Sequence, residues 1–148
     1  MPTFLSHSSW LYPMPDISEL VGKTIVKIDG AEKESEEIHF VCSDGSEYLM
    51  HHEQDCCEWV RVEEIIGNVG DLLNSPISMA ECVSEHGEKE DGFDWGTKTW
   101  TFYKFATVKG YVTLRWLGES NGYYSEAVDF LRIKNPGGGD AYGKFVKP

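Results

Sequence analysis

The chain has 148 residues, with 25 Asp and Glu against 13 Lys and Arg, for a formal net charge of −12. One domain fits that length, and the negative balance argues against a general binder of nucleic acid or anionic membranes, which needs a broad positive surface. Aromatic residues at 13% and a hydrophobic share of 41% provide for a core and exclude a disordered chain; no apolar run approaches the roughly 18 residues of a membrane span.

The opening Met1-Pro2-Thr3-Phe4-Leu5 has neither the basic segment nor the apolar stretch of a secretion signal, so a soluble cytoplasmic protein is expected. Residues 1–15 read as an arm that holds His7 and Trp10. Asp16 to Leu20 reads as a short helical turn, with Asp16 as N-cap and Glu19 three residues on. Lys23 to Ile28 alternates polar and apolar as a strand does, and Asp29 to Glu37 is polar and turn-like. Ile38 to Cys42 and Glu47 to His51 then form strands around Ser43-Asp44-Gly45-Ser46, because Asp-Gly tolerates the positive φ of a hairpin turn.

Glu58 to Glu63 alternates again, with Val60 and Val62 on one face. Val69 to Leu73 reads as a second helical turn, stopped by Asn74-Ser75-Pro76, and Ile77 to Ser84 as a strand. His86 to Gly96 is acidic and glycine-containing and is expected as an exposed loop, with Asp94-Trp95-Gly96 as a turn in it. Thr99 to Thr107, Tyr111 to Leu117 and Tyr123 to Ile133 are rich in aromatic and β-branched residues, with Lys109-Gly110 and Ser120-Asn121-Gly122 as hairpin turns between them. From Pro136-Gly137-Gly138-Gly139 a loose tail, 135–148, is expected. The sum is a single domain over 1–148 of the α+β class, mainly antiparallel β-sheet with a few short helices.

Charge divides along the chain. Residues 31–95 hold 18 acidic and 3 basic side chains, whereas 97–134 hold Lys98, Lys104, Lys109, Arg115, Arg132 and Lys134 against Glu119, Glu126 and Asp129. The basic residues lie among aromatics, an arrangement suited to stacking and phosphate contacts. Alternation limits which can act together. Trp100, Phe102 and Lys104 share one face of their strand and Thr101, Tyr103 and Phe105 the other; Thr113 and Arg115 oppose Val112, Leu114 and Trp116. One face of each strand must be core. The plainer reading is a half-buried sheet with ordinary solvent charges.

His51-His52-Glu53-Gln54-Asp55-Cys56-Cys57-Glu58 is the densest polar cluster. On an extended segment His51, Glu53, Asp55 and Cys57 would share a face, a chemically feasible zinc set that lacks the usual ligand spacing. Cys56 or Cys57 paired with His52, His39 or His86 would instead make a thiolate nucleophile. The favoured alternative is a polar turn, its carboxylates bonded to backbone N–H groups and its thiols packed inside. The four cysteines, Cys42, Cys56, Cys57 and Cys82, include no CxxC pair and are expected as thiols. No phosphate loop, nucleophile elbow or HExxH is present. Zinc is the one cofactor the residues suggest; otherwise the cofactor is open.

The run from His52 to Glu58 is similar to the signature of a small family of phage and prophage proteins known only as a domain of unknown function. Thr99 to Gly110, Val112 to Glu126 with its Ser120-Asn121-Gly122-Tyr123-Tyr124-Ser125-Glu126 segment, and the opening Leu20 to Ile25 extend the resemblance over roughly residues 17–131. It brings no catalytic residues. It implies a small protein of the cytoplasm of an infected bacterial host, and by analogy a counter-defence role.

Three functions follow as expectations. The first is a non-enzymatic, homo-oligomeric binding protein that sequesters a small anionic, nucleotide-type signal through Lys104, Lys109, Arg115, Trp116, Asn121, Tyr123 and Tyr124. The second is an inhibitor of a host defence protein that mimics nucleic acid through the acidic 31–95 surface. The third is a metal- or thiol-dependent hydrolase built on His51 to Glu58. No direct contact with nucleic acid or membrane is expected. The first is preferred.

Overall fold

A computed structural model of the chain describes residues 11–88 and 96–141. His7, Trp10 and the Asp94-Trp95 part of the acidic segment lie outside the described residues. The eight strands are β1 (Ile25–Asp29), β2 (Glu37–Cys42), β3 (Glu47–His51), β4 (Trp59–Ile66), β5 (Met79–Glu88), β6 (Thr97–Thr107), β7 (Gly110–Ser120) and β8 (Asp129–Lys134). They form two four-stranded sheets, ordered β1-β2-β3-β8 and β4-β7-β6-β5, in which every ladder is antiparallel.

Period-2 alternation builds the core. Ile38, Phe40, Tyr48 and Met50 of the first sheet and Val60, Val62, Phe105 and Trp116 of the second belong to one buried cluster. Burial of this kind stabilises by roughly 25 cal/mol for each Å² of apolar surface removed from water, so one shared core fixes both sheets. The far side of the first sheet buries Leu49, Leu131 and Ile133 beneath Tyr12. Pro13 O accepts from Arg132 N at 3.0 Å, so residues of the expected arm lie along β8.

The helical component is smaller than expected. Among the described residues it comprises two single 3-10 turns, Ile17–Leu20 and Val69–Leu72, capped by the side chains of Asp16 and Asn68. Four residues are too few to repay nucleation of an α-helix, and an extended residue follows each turn. The fold is therefore mostly antiparallel β rather than α+β. Among the described residues no helix is long and apolar enough to cross a membrane.

Three boundaries differ from expectation. Strand β5 runs past His86, where a loop was expected to begin, because His86 pairs with Thr99 and Glu88 with Thr97 in the β5–β6 ladder. The strand expected over Tyr123–Ile133 forms only from Asp129, and it pairs with β3 instead of β7. Ser120-Asn121-Gly122 is thus a crossover between sheets; Asn121 Oδ1 accepts from Tyr123 N at 2.9 Å in a local turn. Finally, residues 135–141 fold back: Gly137 N donates to Asp44 O, and Ala141 N to Ile133 O. They cover the Asp44-Gly45 turn, where Gly45 has φ +93 and a Cβ would stand 2.9 Å from the Gly137 nitrogen.

Candidate functional site

The inner and outer faces of the second sheet divide the residues of β6 and β7. Thr99, Thr101, Tyr103 and Phe105 of β6 and Val112, Leu114 and Trp116 of β7 are buried. Lys98, Trp100, Phe102 and Lys104, with Thr113 and Arg115, occupy the opposite face and are at least partly open to solvent. Phe102 lies directly across from Arg115, and Trp100 from Leu117. The Arg115 guanidinium stands 5.3 Å from the centre of the Trp100 ring and Lys98 Nζ 5.6 Å from it. These are distances at which a cation is attracted by the ring face.

A bulge in β4 positions Arg115. The β4–β7 register shifts between Val62 and Glu64, so Glu63 is the extra residue. In a regular strand Glu63 and Glu64 would point to opposite faces; the bulge brings both to one guanidinium. Arg115 Nε and Nη2 donate to Glu63 Oε1 at 2.9 and 2.7 Å, and Nη2 also donates to Glu64 Oε1. Beside this group, Arg61 lies 3.7 Å over the Trp59 ring and donates to Glu119 Oε1 at 2.8 Å.

The seven expected ligand-binding residues do not form one site. Lys104 and Arg115 reach the outer face. Lys109 sits at the β6–β7 turn, where its Nζ donates to Leu73 O at 2.7 Å and ties that turn to the end of the second 3-10 turn. Trp116 is 0% exposed, and its indole N–H has no partner among the described residues. It cannot stack on a ligand, because its parity on β7 points it into the core. Asn121 turns the crossover, Tyr123 is 82% exposed, and Tyr124 meets it edge-on at 5.0 Å between ring centres. Trp100, outside those seven, is partly open on the outer face and available for stacking, and Phe102 joins it through strand alternation.

The His51–Glu58 cluster is a turn, as the plainer reading had it, with different details. His51 ends β3, the chain leaves the sheet, and the four-residue face of His51, Glu53, Asp55 and Cys57 never forms. Among the described residues no three His, Cys, Asp or Glu side chains converge to hold a metal ion. Glu58 is the organising group: its carboxylate accepts Asp55 N at 2.8 Å, Cys56 N at 2.9 Å and His52 Nε2 at 2.6 Å. Burial pushes its pKa up, but the His52 bond and the backbone donors of Cys56 and Asp55 prevail and hold it at about 2.

His52 Nδ1 lies 2.7 Å from Ala127 O, so acceptors flank both ring nitrogens and neither is left to activate a thiol. Cys56 and Cys57 are exposed and joined to each other by a disulfide, in contrast to the buried thiols expected. With its carboxylate inside the turn, the cluster turns its sulfurs outward. Cys42 and Cys82 are free.

A family model described as a domain of unknown function (DUF7448) matches residues 18–130, from the first 3-10 turn into β8. No curated protein and no solved structure matches the chain. A match that spans seven whole strands and both sheets shows that the chain belongs to the DUF7448 family.

Proposed function

We propose that this protein is a non-enzymatic binding protein that captures a small anionic, nucleotide-type ligand on the outer face of its second sheet. The observation that carries this reading is the adjacency of Trp100 and Phe102 on one open face, flanked by Lys98, Lys104 and Arg115. A base stacked on an aromatic side chain gains on the order of 1–3 kcal/mol, and cations at the rim meet phosphate oxygens. Glu63 and Glu64 orient the Arg115 fork, and a phosphate would take the place of one of them.

The face is open, so a second copy laid across it would enclose the ligand, which favours a homo-oligomer in the loaded state. The phage resemblance of the His52–Glu58 and Ser120–Glu126 motifs supplies the setting: capture of a host immune signal in the infected cytoplasm.

The test is quenching of tryptophan fluorescence by ADP, read for wild type, Trp100→Ala, Lys104→Ala and Lys109→Ala. The reading expects quenching in wild type and in Lys109→Ala, and loss of most affinity in the other two. Equal affinity across all four proteins, or no quenching by ADP in any, would overturn the site.

A further inference from the structure

On the opposite side of the same sheet, β5, β6 and the crossover from β7 to β8 line a half-open cavity of about 470 Å³. That volume lies within the range of small-molecule sites, roughly 300–1,000 Å³. Its wall is a ladder of hydroxyls, with Ser84, Thr97, Thr99 and Thr101 from the two strands. Its far side is Glu126, and Tyr124 stands next to it. Among the described residues that line it there is no lysine or arginine.

The protons on this wall can be counted. Glu126 is 9% exposed. Its carboxylate accepts the hydroxyls of Thr97 at 2.6 Å, Thr99 at 2.7 Å and Ser120 at 2.5 Å. Burial raises its pKa, and the bonds from Ser120, Thr97 and Thr99, with the nearby His86, outweigh that and lower it. The group is therefore an anion at neutral pH, and each of the three hydroxyls has spent its one proton on it. Their oxygens remain as acceptors.

Thr99 Oγ1 also lies 3.0 Å from His86 Nδ1. With the Thr99 proton on Glu126, this bond runs from His86 to Thr99, so Nδ1 carries the hydrogen. In the neutral ring Nε2 is then an acceptor as well. Tyr103 spends its own hydroxyl proton toward Val128 O at 3.5 Å. The acceptor oxygens of Thr97 and Thr99 thus stand in front of one buried negative charge, beside the hydroxyls of Ser84, Thr101, Tyr124 and Ser125.

We infer that this cavity is a second binding site, selective for a small organic ammonium compound whose N–H groups donate to Thr97 Oγ1 and His86 Nε2 beside the Glu126 carboxylate. A phosphate is disfavoured because it brings a like charge to the buried Glu126 carboxylate. The site is independent of the outer face, since Thr97 and Thr99 alternate with Lys98 and Trp100 along β6.

Isothermal titration of the full chain with putrescine and agmatine tests this, with choline as a cation that lacks N–H donors. Putrescine or agmatine is expected to bind, and choline at least about tenfold more weakly, as befits the loss of hydrogen bonds to a charged donor. Thr97→Val, which keeps the shape, and His86→Phe should each weaken amine binding by about tenfold, whereas Lys104→Ala should leave it unchanged. Circular dichroism establishes that the variants are folded. Absence of binding by either amine, choline binding as tightly, or amine affinity indifferent to both cavity variants would overturn the inference.

Discussion

His52 and Glu58 lie six residues apart, with Nε2 2.6 Å from Oε2 and side chains 5% and 0% exposed. The pair closes the β3–β4 turn on itself, and through His52 Nδ1 it also grips Ala127 O, in the crossover that walls the inner cavity. Removal of the Glu58 carboxylate leaves the N–H groups of Asp55, Cys56 and His52 without their acceptor, so Glu58→Ala should cost about 3 kcal/mol at pH 7. Chemical denaturation measures it directly. A loss well under 1 kcal/mol would mean that the turn is held by other contacts.

The same carboxylate sets an acid dependence. Its folded-state value of about 2 lies below the ordinary 4.5. The stability this provides is fully present above 4.5 and is lost as pH falls through that window toward 2. Asp44, also held at about 2, contributes from its ordinary 3.8 downward: burial raises it, and Lys23 and Ser46 outweigh burial. Denaturation midpoints between pH 6 and pH 2 should therefore fall in wild type, and fall less steeply in Glu58→Gln. Parallel curves for the two proteins would refute the assignment.

Gly118 of β7 is the point of closest approach to the crossover. A Cβ built there would stand 2.6 Å from Glu126 O and 2.8 Å from Glu126 Cβ. Gly118→Ala must push the crossover outward, at a cost of about 1–3 kcal/mol. Amine binding in the inner cavity should weaken with it, and ADP quenching at the outer face should not. A stability unchanged from wild type would show that the crossover yields freely.

The thiols should titrate in three stages. Cys82 is exposed and free, and Cys42 is buried. Burial raises the pKa of both thiols, so native labelling of Cys82 by Ellman's reagent should be slow at neutral pH and faster under alkaline conditions. One thiol is expected in the native protein, two in denaturant and four after reduction, with Cys56 and Cys57 appearing only in the last. Three native thiols instead of one would mean that the adjacent pair is reduced.

Trp116 offers a control on the faces of the sheet. Its ring is wholly buried and its N–H has no partner among the described residues, so Trp116→Phe forfeits volume but none of the hydrogen bonds described. It should cost less than the roughly 3–5 kcal/mol expected for truncation to Ala. Thermal denaturation of both variants compares them, and ADP quenching should persist in Trp116→Phe because the stacking residue is Trp100.

The strands were legible because side-chain parity is local. Val60 and Val62, Ile38 and Phe40, and the split of Trp100 from Tyr103 all follow from a repeat of two, and Asp44-Gly45 marks its turn by the φ it tolerates. Parity assigns residues to two faces but not to solvent or core. Whether Trp116 or Arg115 turned inward depended on the first sheet, which contributes Phe40 and Met50 to the same core.

The cluster and the cavity were less legible, for a related reason. Alternation over His51 to Cys57 presumes an extended chain, and one buried carboxylate, Glu58, drew the backbone N–H groups of Asp55 and Cys56 into a turn instead. Glu126 gave no signal, because its three hydroxyl partners come from Thr97, Thr99 and Ser120, up to 29 residues away. By itself the sequence determined most of the strands and the alternation of residues along them, both consequences of neighbours a few residues apart. Only the tertiary structure decided that β8 crosses to the first sheet, because pairing with β3 buries Leu131 and Phe130 on opposite faces, and a strand's partner is chosen by the surface it covers.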